Sequence, residues 1–149
     1  MPEAHTILNP KQPDCLYPFK ELSGCGVAFK LIQALTDRIG LSPWSAYDSL
    51  DLVALSIASD LVEVTGENRV LLHHGLKTVS RNSRPGIRAL LQIVHCTPDY
   101  LTVRDIISRI SPRINAAGRM SRATEAVDLL TARNEQRAAE LATNLDRLN

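Results

Sequence analysis

Two neighbouring stretches in the second half of the chain repeat one apolar spacing, which constrains the fold more than any other feature. Their apolar residues stand at i, i+3, i+4 and i+7, and they are Ile87, Leu90, Leu91 and Val94, then Val103, Ile106, Ile107 and Ile110. This spacing predicts two helices that each bury one face. Pro85 is well placed as the first residue of one helix, and Thr102 with Asp105 forms a capping box for the other.

The remaining segments also favour helices. Further helical segments are predicted over about 24–39, 45–61, 68–79, 123–132 and 135–148. Val27, Leu31, Leu35 and Ile39 form one apolar stripe on the first of them. Thr6 to Leu8 is the one short β-prone run, and Ser111-Pro112 is expected to break a helix. We therefore predict a mainly α fold with six to seven helices and one short N-terminal strand.

Composition excludes several classes of protein. The chain has 149 residues, of which 44% are hydrophobic, so it can bury a core. Its N-terminus lacks the pattern of a signal peptide, and no apolar run reaches the length of a membrane span. Cys15, Cys25 and Cys96 have no CxxC spacing and are interpreted as free thiols in a reducing cytosol, so a cytoplasmic location is expected. A zinc site from these cysteines and the histidines is disfavoured.

Charge is distributed unevenly along a chain whose net charge is only +1. From residue 77 to residue 122 there are nine basic residues against two acidic ones, whereas from 37 to 67 six acids face one arginine. A basic region beside an acidic one suits a site where a divalent metal meets a phosphodiester. Two solvated helix faces would give the same pattern.

Asp60 is the candidate metal ligand. It ends an otherwise apolar helical segment and follows the small residues Ala58 and Ser59. A carboxylate beside a buried segment needs a cation, a metal or amide donors. It also opposes the helix dipole at that position, so another factor must favour it. From the residues alone, an ordinary salt bridge explains Asp60 better than metal ligation does.

Arg113, Asn115 and Arg119 are the candidate nucleic-acid contacts. They lie in the segment Ser111-Pro112-Arg113-Ile114-Asn115-Ala116-Ala117-Gly118-Arg119-Met120. Small residues there let another chain come close, and arginine suits phosphate oxygens. The segment therefore resembles a cradle for a nucleic-acid backbone.

These two segments, with the loop that runs from Asn9 through Ser23-Gly24-Cys25-Gly26, closely resemble the RecJ family of the DHH phosphoesterases. The resemblance implies an α/β parent domain of which residues 1–133 are the C-terminal part, with 134–149 beginning a long helix to a further domain. It implies 5′-to-3′ degradation of single-stranded DNA in repair and recombination with Mn²⁺ or Mg²⁺. Asp60 would then coordinate metal, while Arg113, Asn115 and Arg119 would lie along the DNA backbone.

The chain also departs from the family pattern. The Asp-His-His sequence does not occur in it, and His73-His74 follows Leu72 and is interpreted as an ordinary helical pair. Ser111 stands where the family often has Gly. Alternatives are a DHH phosphoesterase for small nucleotides, a non-catalytic replication module, or an unrelated helical interaction domain. A piece of such a parent should also expose apolar surface, through which it could dimerise.

Overall fold

The computed structural model describes residues 3–42, 44–119 and 122–148, with the backbone alone at 82 and 119. Nine α-helices occur within these ranges: α1 (Gly24–Arg38), α2 (Trp44–Tyr47), α3 (Leu50–Ser59), α4 (Gly66–Asn82), α5 (Pro85–Ile93), α6 (Val103–Asp105), α7 (Ser111–Arg119), α8 (Ala123–Thr131) and α9 (Glu135–Asp146). A 3₁₀ turn covers Pro98–Tyr100, and a π-helical turn over Ile106–Ile110 joins α6 to α7. The mainly α prediction is confirmed, with seven long helices in the described ranges if α6, the π turn and α7 count as one. No described helix has the length and apolarity to cross a membrane.

The predicted strand at Thr6 to Leu8 is wrong for the part of the chain that the structure describes. This run has no regular secondary structure, and no strand pairs with it there. The side-chain amide of Gln12 donates to the carbonyl oxygen of Ile7 at 3.1 Å, which satisfies an acceptor that a neighbouring strand would use. Since one strand cannot form a sheet alone, its β propensity is overridden by local hydrogen bonds.

Two apolar clusters hold the helices together. The larger one joins α5, the π turn, α8 and α9 through fully buried side chains that include Leu90, Ile106, Leu129 and Leu145. The smaller one packs α1 and α4 on α3. Because α3 contributes to both clusters, its C-terminal end is held from two sides. α9 packs against α5 and α8. The boundary at 133/134, between the domain part and the start of a linking helix, stays a prediction.

Glycines allow two of these helix contacts to be unusually close. A Cβ atom built on Gly75 of α4 would lie 2.3 Å from the carbonyl oxygen of Leu50, at the start of α3. A Cβ atom on Gly86 would lie 1.9 Å from the carbonyl oxygen of Leu129 in α8. Both distances are shorter than non-bonded atoms allow, so only glycine lets the backbones approach this far.

The helix does not break at Ser111-Pro112, contrary to the expectation from proline. Thr102 and Asp105 form the predicted capping box at its start. The π turn follows, and the amide of Ser111 donates to the carbonyl of Ile106, five residues earlier. Proline lacks an amide hydrogen, and its ring clashes with the carbonyl four residues back in a regular α-helix. A π turn widens the backbone at this point, so the helix continues past Pro112.

The apolar stripe of α1 faces outward. Leu31, Leu35 and Ile39 are 46%, 49% and 66% exposed, whereas the face packed on α3 carries Phe29 and Thr36. Beside the stripe, the 7–22 segment and α1 enclose an apolar groove of ≈ 430 Å³. The stripe is therefore an unpartnered surface of the described chain, which we call the α1 outer face.

A polar cluster fastens the N-terminal loop to the helices. Glu67, at the start of α4, accepts a hydrogen bond from the Tyr17 hydroxyl at 2.6 Å and pairs with the Lys30 ammonium at 2.6 Å. Burial raises the pKa of Glu67, but the hydrogen bonds from Lys30 and Tyr17 outweigh it and leave that pKa lowered. Burial and the bond to Glu67 raise the pKa of the Tyr17 hydroxyl. The cluster thus positions the loop that leads into α1.

We expect Glu67→Gln to destabilise the chain by about 0.5–1 kcal/mol at pH 7, in the range of partly exposed ion pairs. Because the folded-state pKa of Glu67 is lowered, its stabilising effect is present above the unfolded pKa of about 4.3 and is lost as pH falls through the folded pKa. The difference in unfolding free energy between the two proteins should therefore shrink as pH falls below about 4. Urea unfolding at several pH values measures this. Tyr17→Phe should give a smaller difference, and a difference for Glu67→Gln that does not change with pH would contradict the interpretation.

Candidate metal and nucleic-acid site

Asp60 caps the C-terminal end of α3 and is exposed. Its backbone is helical, but the next residue, Leu61, has φ of 53° and is 70% exposed. Glycine usually occupies this left-handed position after a helix, because a side chain makes it unfavourable. The chain therefore turns sharply after Asp60 and leaves its carboxylate at the surface.

Ser56 orients the Asp60 carboxylate. The Ser56 hydroxyl donates to Oδ2 of Asp60 at 2.9 Å. The same hydroxyl accepts a long hydrogen bond, at 3.4 Å, from the backbone amide of Cys25 in the first turn of α1. Ser56 precedes Asp60 by four residues, so helical geometry places both side chains on one face. Donors at this end of α3 offset the unfavourable position of a carboxylate at a helix C-terminus.

A second serine ties the same end of α3 to the other candidate segment. The Ser59 hydroxyl lies 2.6 Å from the hydroxyl of Ser111, the first residue of α7. Ser111 is only 4% exposed, and its hydroxyl donates to the Ile106 carbonyl at 2.9 Å. The structure therefore brings all three segments together: α1 through Cys25, α3 through its serines, and α7 through Ser111.

The three candidate nucleic-acid contacts differ in their surroundings. Arg113 is bound within the fold, since its Nε atom donates to Oδ1 of Asp146 at 2.7 Å and Nη1 donates to the Arg109 carbonyl at 2.6 Å. Asn115 is exposed on α7. The backbone of Arg119 ends α7, and its side chain lies outside the described part of the structure.

Asn115 borders an open cleft between α7 and α8. The cleft is lined by Ile114, Asn115, Gly118, Ala123 and Ala126. A Cβ atom added to Gly118 would meet nothing within 4 Å, so this glycine leaves open space at the surface. Gly118, Ala123 and Ala126 contribute little side-chain volume to this lining.

The basic character of the 77–122 region is reduced by internal ion pairs. Of the eight basic residues there whose side chains the structure describes, five pair with acids within 4 Å, namely Arg84, Arg88, Arg109, Arg113 and Arg122. The Arg84–Asp51 pair is the most buried, with the Asp51 side chain 1% exposed. The charge count along the sequence thus overstates the positive charge available to a ligand. Lys77, Arg81 and Arg104 are exposed.

Asp60 fits a hard divalent cation as one ligand of several. Carboxylate oxygen is the donor that Mg²⁺ and Mn²⁺ prefer, and Ser56 engages only Oδ2. Within the described residues no group of three or more His, Cys, Asp or Glu side chains could hold a metal. His73 and His74 are exposed on α4 and contact each other edge to face, with ring centroids 5.2 Å apart. Within the described residues, Asp60 therefore has no partner ligands with which to complete a metal site.

Sequence analysis missed the serines that organise this site. In the sequence, Ser59 is marked only as a small residue beside Asp60, and Ser56 is not among the candidate residues. The spacing of four residues between Ser56 and Asp60 was a usable signal, because such pairs meet on a helix. No comparable signal links Ser59 to Ser111, which are 52 positions apart in the chain.

Comparison with known proteins agrees across sequence and structure. No protein-family model matches the chain. The single-stranded-DNA-specific exonuclease RecJ of Salmonella typhimurium is 39% identical over 159 residues, covering all of this chain and 28% of that protein. RecJ of Bacillus subtilis is 39% identical over 149 residues, covering all of this chain and 18% of that protein. This chain therefore spans less than a third of the length of these relatives.

The fold matches a solved relative as well. The crystal structure of Thermus thermophilus RecJ in complex with Mg²⁺ aligns with a TM-score of 0.80 and 36% identity, over 91% of this chain and 21% of the other. A crystal structure of exonuclease RecJ bound to manganese aligns with a TM-score of 0.79 at 37% identity. The sequence identity over the whole chain and the structural agreement together show that this chain is similar, in sequence and in fold, to a segment of these RecJ exonucleases.

Proposed function

We propose that the chain acts as part of a metal-dependent exonuclease that degrades single-stranded DNA from 5′ to 3′ in repair and recombination. The observation that carries the proposal is the junction at the C-terminal end of α3. There the Asp60 carboxylate lies next to Ser59, whose hydroxyl contacts the first residue of α7 at 2.6 Å. A candidate metal ligand and a candidate DNA-binding helix thus meet at one point. The relatives are named for single-stranded DNA, and their solved structures hold Mg²⁺ or Mn²⁺.

In this proposal Asp60 coordinates Mn²⁺ or Mg²⁺ through the oxygen that Ser56 leaves available. Bound divalent metal would polarise the scissile phosphate and activate water. The task of Ser56 is to hold the carboxylate in one orientation, so that less freedom is lost on metal binding. The sharp turn at Leu61 keeps the carboxylate at the surface, where ligands from elsewhere in the protein can approach.

The α7–α8 cleft is the proposed path of the DNA backbone. Asn115 is exposed at its edge and can donate to phosphate oxygens, and Gly118 leaves room for close approach. Arg119 is proposed to contribute charge at the end of α7. Arg113 is held by Asp146 and by the Arg109 carbonyl, so its proposed contact with phosphate uses a guanidinium already fixed in position. Fixed donors lose little freedom on binding.

The α1 outer face is proposed to be covered by other parts of the catalytic domain in the complete protein. Leu31, Leu35 and Ile39 form an apolar surface that a lone chain exposes to water. The same surface would let two copies of the isolated chain dimerise. A cytoplasmic location is part of the proposal, since DNA is the substrate.

The test has two parts. The gene upstream of the Met1 codon should encode an Asp-His-His sequence and further Asp motifs, and the full-length product should release nucleotides from a 5′-phosphorylated single strand in Mn²⁺. The 149-residue chain alone should bind Mn²⁺ weakly, measured by electron paramagnetic resonance, and should not cleave. A full-length product that has no such motifs and does not digest DNA would support the non-catalytic module instead. Robust digestion by the isolated chain would contradict the proposal that the other metal ligands come from the rest of the protein.

A further inference from the structure

We propose that the hydroxyl pair of Ser59 and Ser111 is a positioning contact, which sets the distance between the Asp60 carboxylate and the DNA-binding face of α7. The inference rests on the proposed function and adds two residues to it. Neither serine is expected to touch metal or DNA. Ser59 acts through Asp60, the next residue, and Ser111 acts through Asn115, four residues further along α7.

The hydrogen-bond pattern around Ser111 gives the pair a defined direction. The Ser111 hydroxyl hydrogen is directed to the Ile106 carbonyl at 2.9 Å, so its oxygen is left to accept. The Ser59 hydroxyl, 2.6 Å away, is then the donor. Ser111 is 4% exposed, and a buried hydroxyl that lost its hydrogen-bond partners would be unfavourable. The contact is therefore specific rather than a chance approach of two surface groups.

Ser111 also closes the π turn. Both its backbone amide and its hydroxyl donate to the carbonyl of Ile106. A π turn has a wider backbone and is less regular than an α-helix, so a side chain that bonds across it limits the positions that α7 can adopt. Ser111 thus fixes the start of α7 and also hydrogen-bonds with Ser59 at the end of α3.

The positions of the two serines make this contact useful. Ser59 is directly before Asp60, and Ser111 is four residues, or roughly 6 Å of helix, before Asn115. α3 and α7 are rigid over these short distances, so fixing Ser59 to Ser111 fixes the carboxylate relative to Asn115. A misplacement of about 1 Å in such a site can reduce the rate about 100-fold.

The test uses the full-length enzyme with Ser59→Ala, Ser111→Ala and the double variant. Each single variant should raise the Mn²⁺ concentration for half-maximal exonuclease activity by about 3- to 10-fold. Loss of a residue that orients a metal ligand typically costs about 10- to 100-fold in metal affinity or activity, so this effect is at or below the lower end of that range. The double variant should be no worse than Ser111→Ala, because the contact between the two serines is already lost in that variant. Ser59→Thr keeps a hydroxyl and should restore most of the wild-type value.

Ser108→Ala is the matched control. Ser108 is an exposed serine of the same π turn, and its hydroxyl donates to the Arg104 carbonyl at 2.7 Å, away from α3. It should leave the Mn²⁺ requirement unchanged. If the Ser59 and Ser111 variants lowered only the unfolding midpoint, and left the Mn²⁺ requirement and the KM for DNA unchanged, the positioning role would be overturned. The proposed function would still stand. An inactive wild-type full-length enzyme would instead overturn the proposed function, and the positioning role with it.

Discussion

Arg84→Met should lower the free energy of unfolding by about 3–5 kcal/mol, because it leaves a buried carboxylate without its counter-charge. Arg84 holds Asp51 with two hydrogen bonds, from Nε at 2.7 Å and from Nη2 at 2.8 Å. Asp51 is 1% exposed, so water cannot replace the guanidinium. Arg84 also reaches the carbonyls of Asp48 and Leu130, and so joins the start of α3 to the end of α8.

Urea unfolding of the chain measures this loss. Arg137→Met is the matched control, since Arg137 forms an exposed pair with Glu140 at 3.4 Å and should contribute less than about 0.5 kcal/mol. Adding Asp51→Leu to Arg84→Met should recover much of the stability, because no charge then remains buried. Equal effects of Arg84→Met and Arg137→Met would show that the buried pair contributes no more than a surface one.

The helices that sequence analysis placed best are those with chemical signals at their ends. Pro85 begins α5 and the Thr102–Asp105 capping box begins α6, as predicted. These signals are local, so they can be recognised in a sequence without knowledge of the fold. The apolar spacing that follows each of them then identifies the buried face. Ile87, Leu90 and Ile106 are all fully buried.

Pro112 and the α1 outer face show where local signals fail. Proline predicts a helix break only if the backbone stays α-helical, and the π turn removes that condition. On α1, the apolar spacing marks one face correctly, yet that face is exposed here and the helix packs on α3 through Phe29. Periodicity shows that a face is apolar, but it cannot show which element covers it.

The candidate site was predictable as separate segments rather than as an arrangement. Asp60 stood out as a carboxylate at the end of an apolar helix. Its relation to α7 depends on Ser59 and Ser111, whose contact exists only after α3 and the π turn have packed together. Arg113 shows a second limit, because its residue type suggests a phosphate contact but does not reveal that Asp146 holds its guanidinium in the fold.

Asp60→Asn should reduce exonuclease activity of the full-length enzyme about 100-fold or more, if Asp60 is a metal ligand as proposed. The substitution removes the charge but keeps the size of the side chain and an oxygen that can accept from the Ser56 hydroxyl. The fold should therefore persist, with an unfolding midpoint near that of the wild type. Ser56→Ala keeps the charge and loses only the orienting donor, so its loss should be about 10-fold.

Asp99→Asn is the matched control for this pair of variants. Asp99 is also exposed and also accepts from a serine hydroxyl, that of Ser80, but it lies in the 3₁₀ turn that packs on α4. The measurement is the initial rate on a 5′-phosphorylated single strand over a range of Mn²⁺ concentrations. It distinguishes Asp60 from the control position Asp99. A metal ligand requires that Asp60→Asn stays slow at saturating Mn²⁺, that higher Mn²⁺ partly restores Ser56→Ala, and that Asp99→Asn behaves as the wild type. If Asp60→Asn were as active as Asp99→Asn, the carboxylate of Asp60 would be only a helix-end group bound to Ser56.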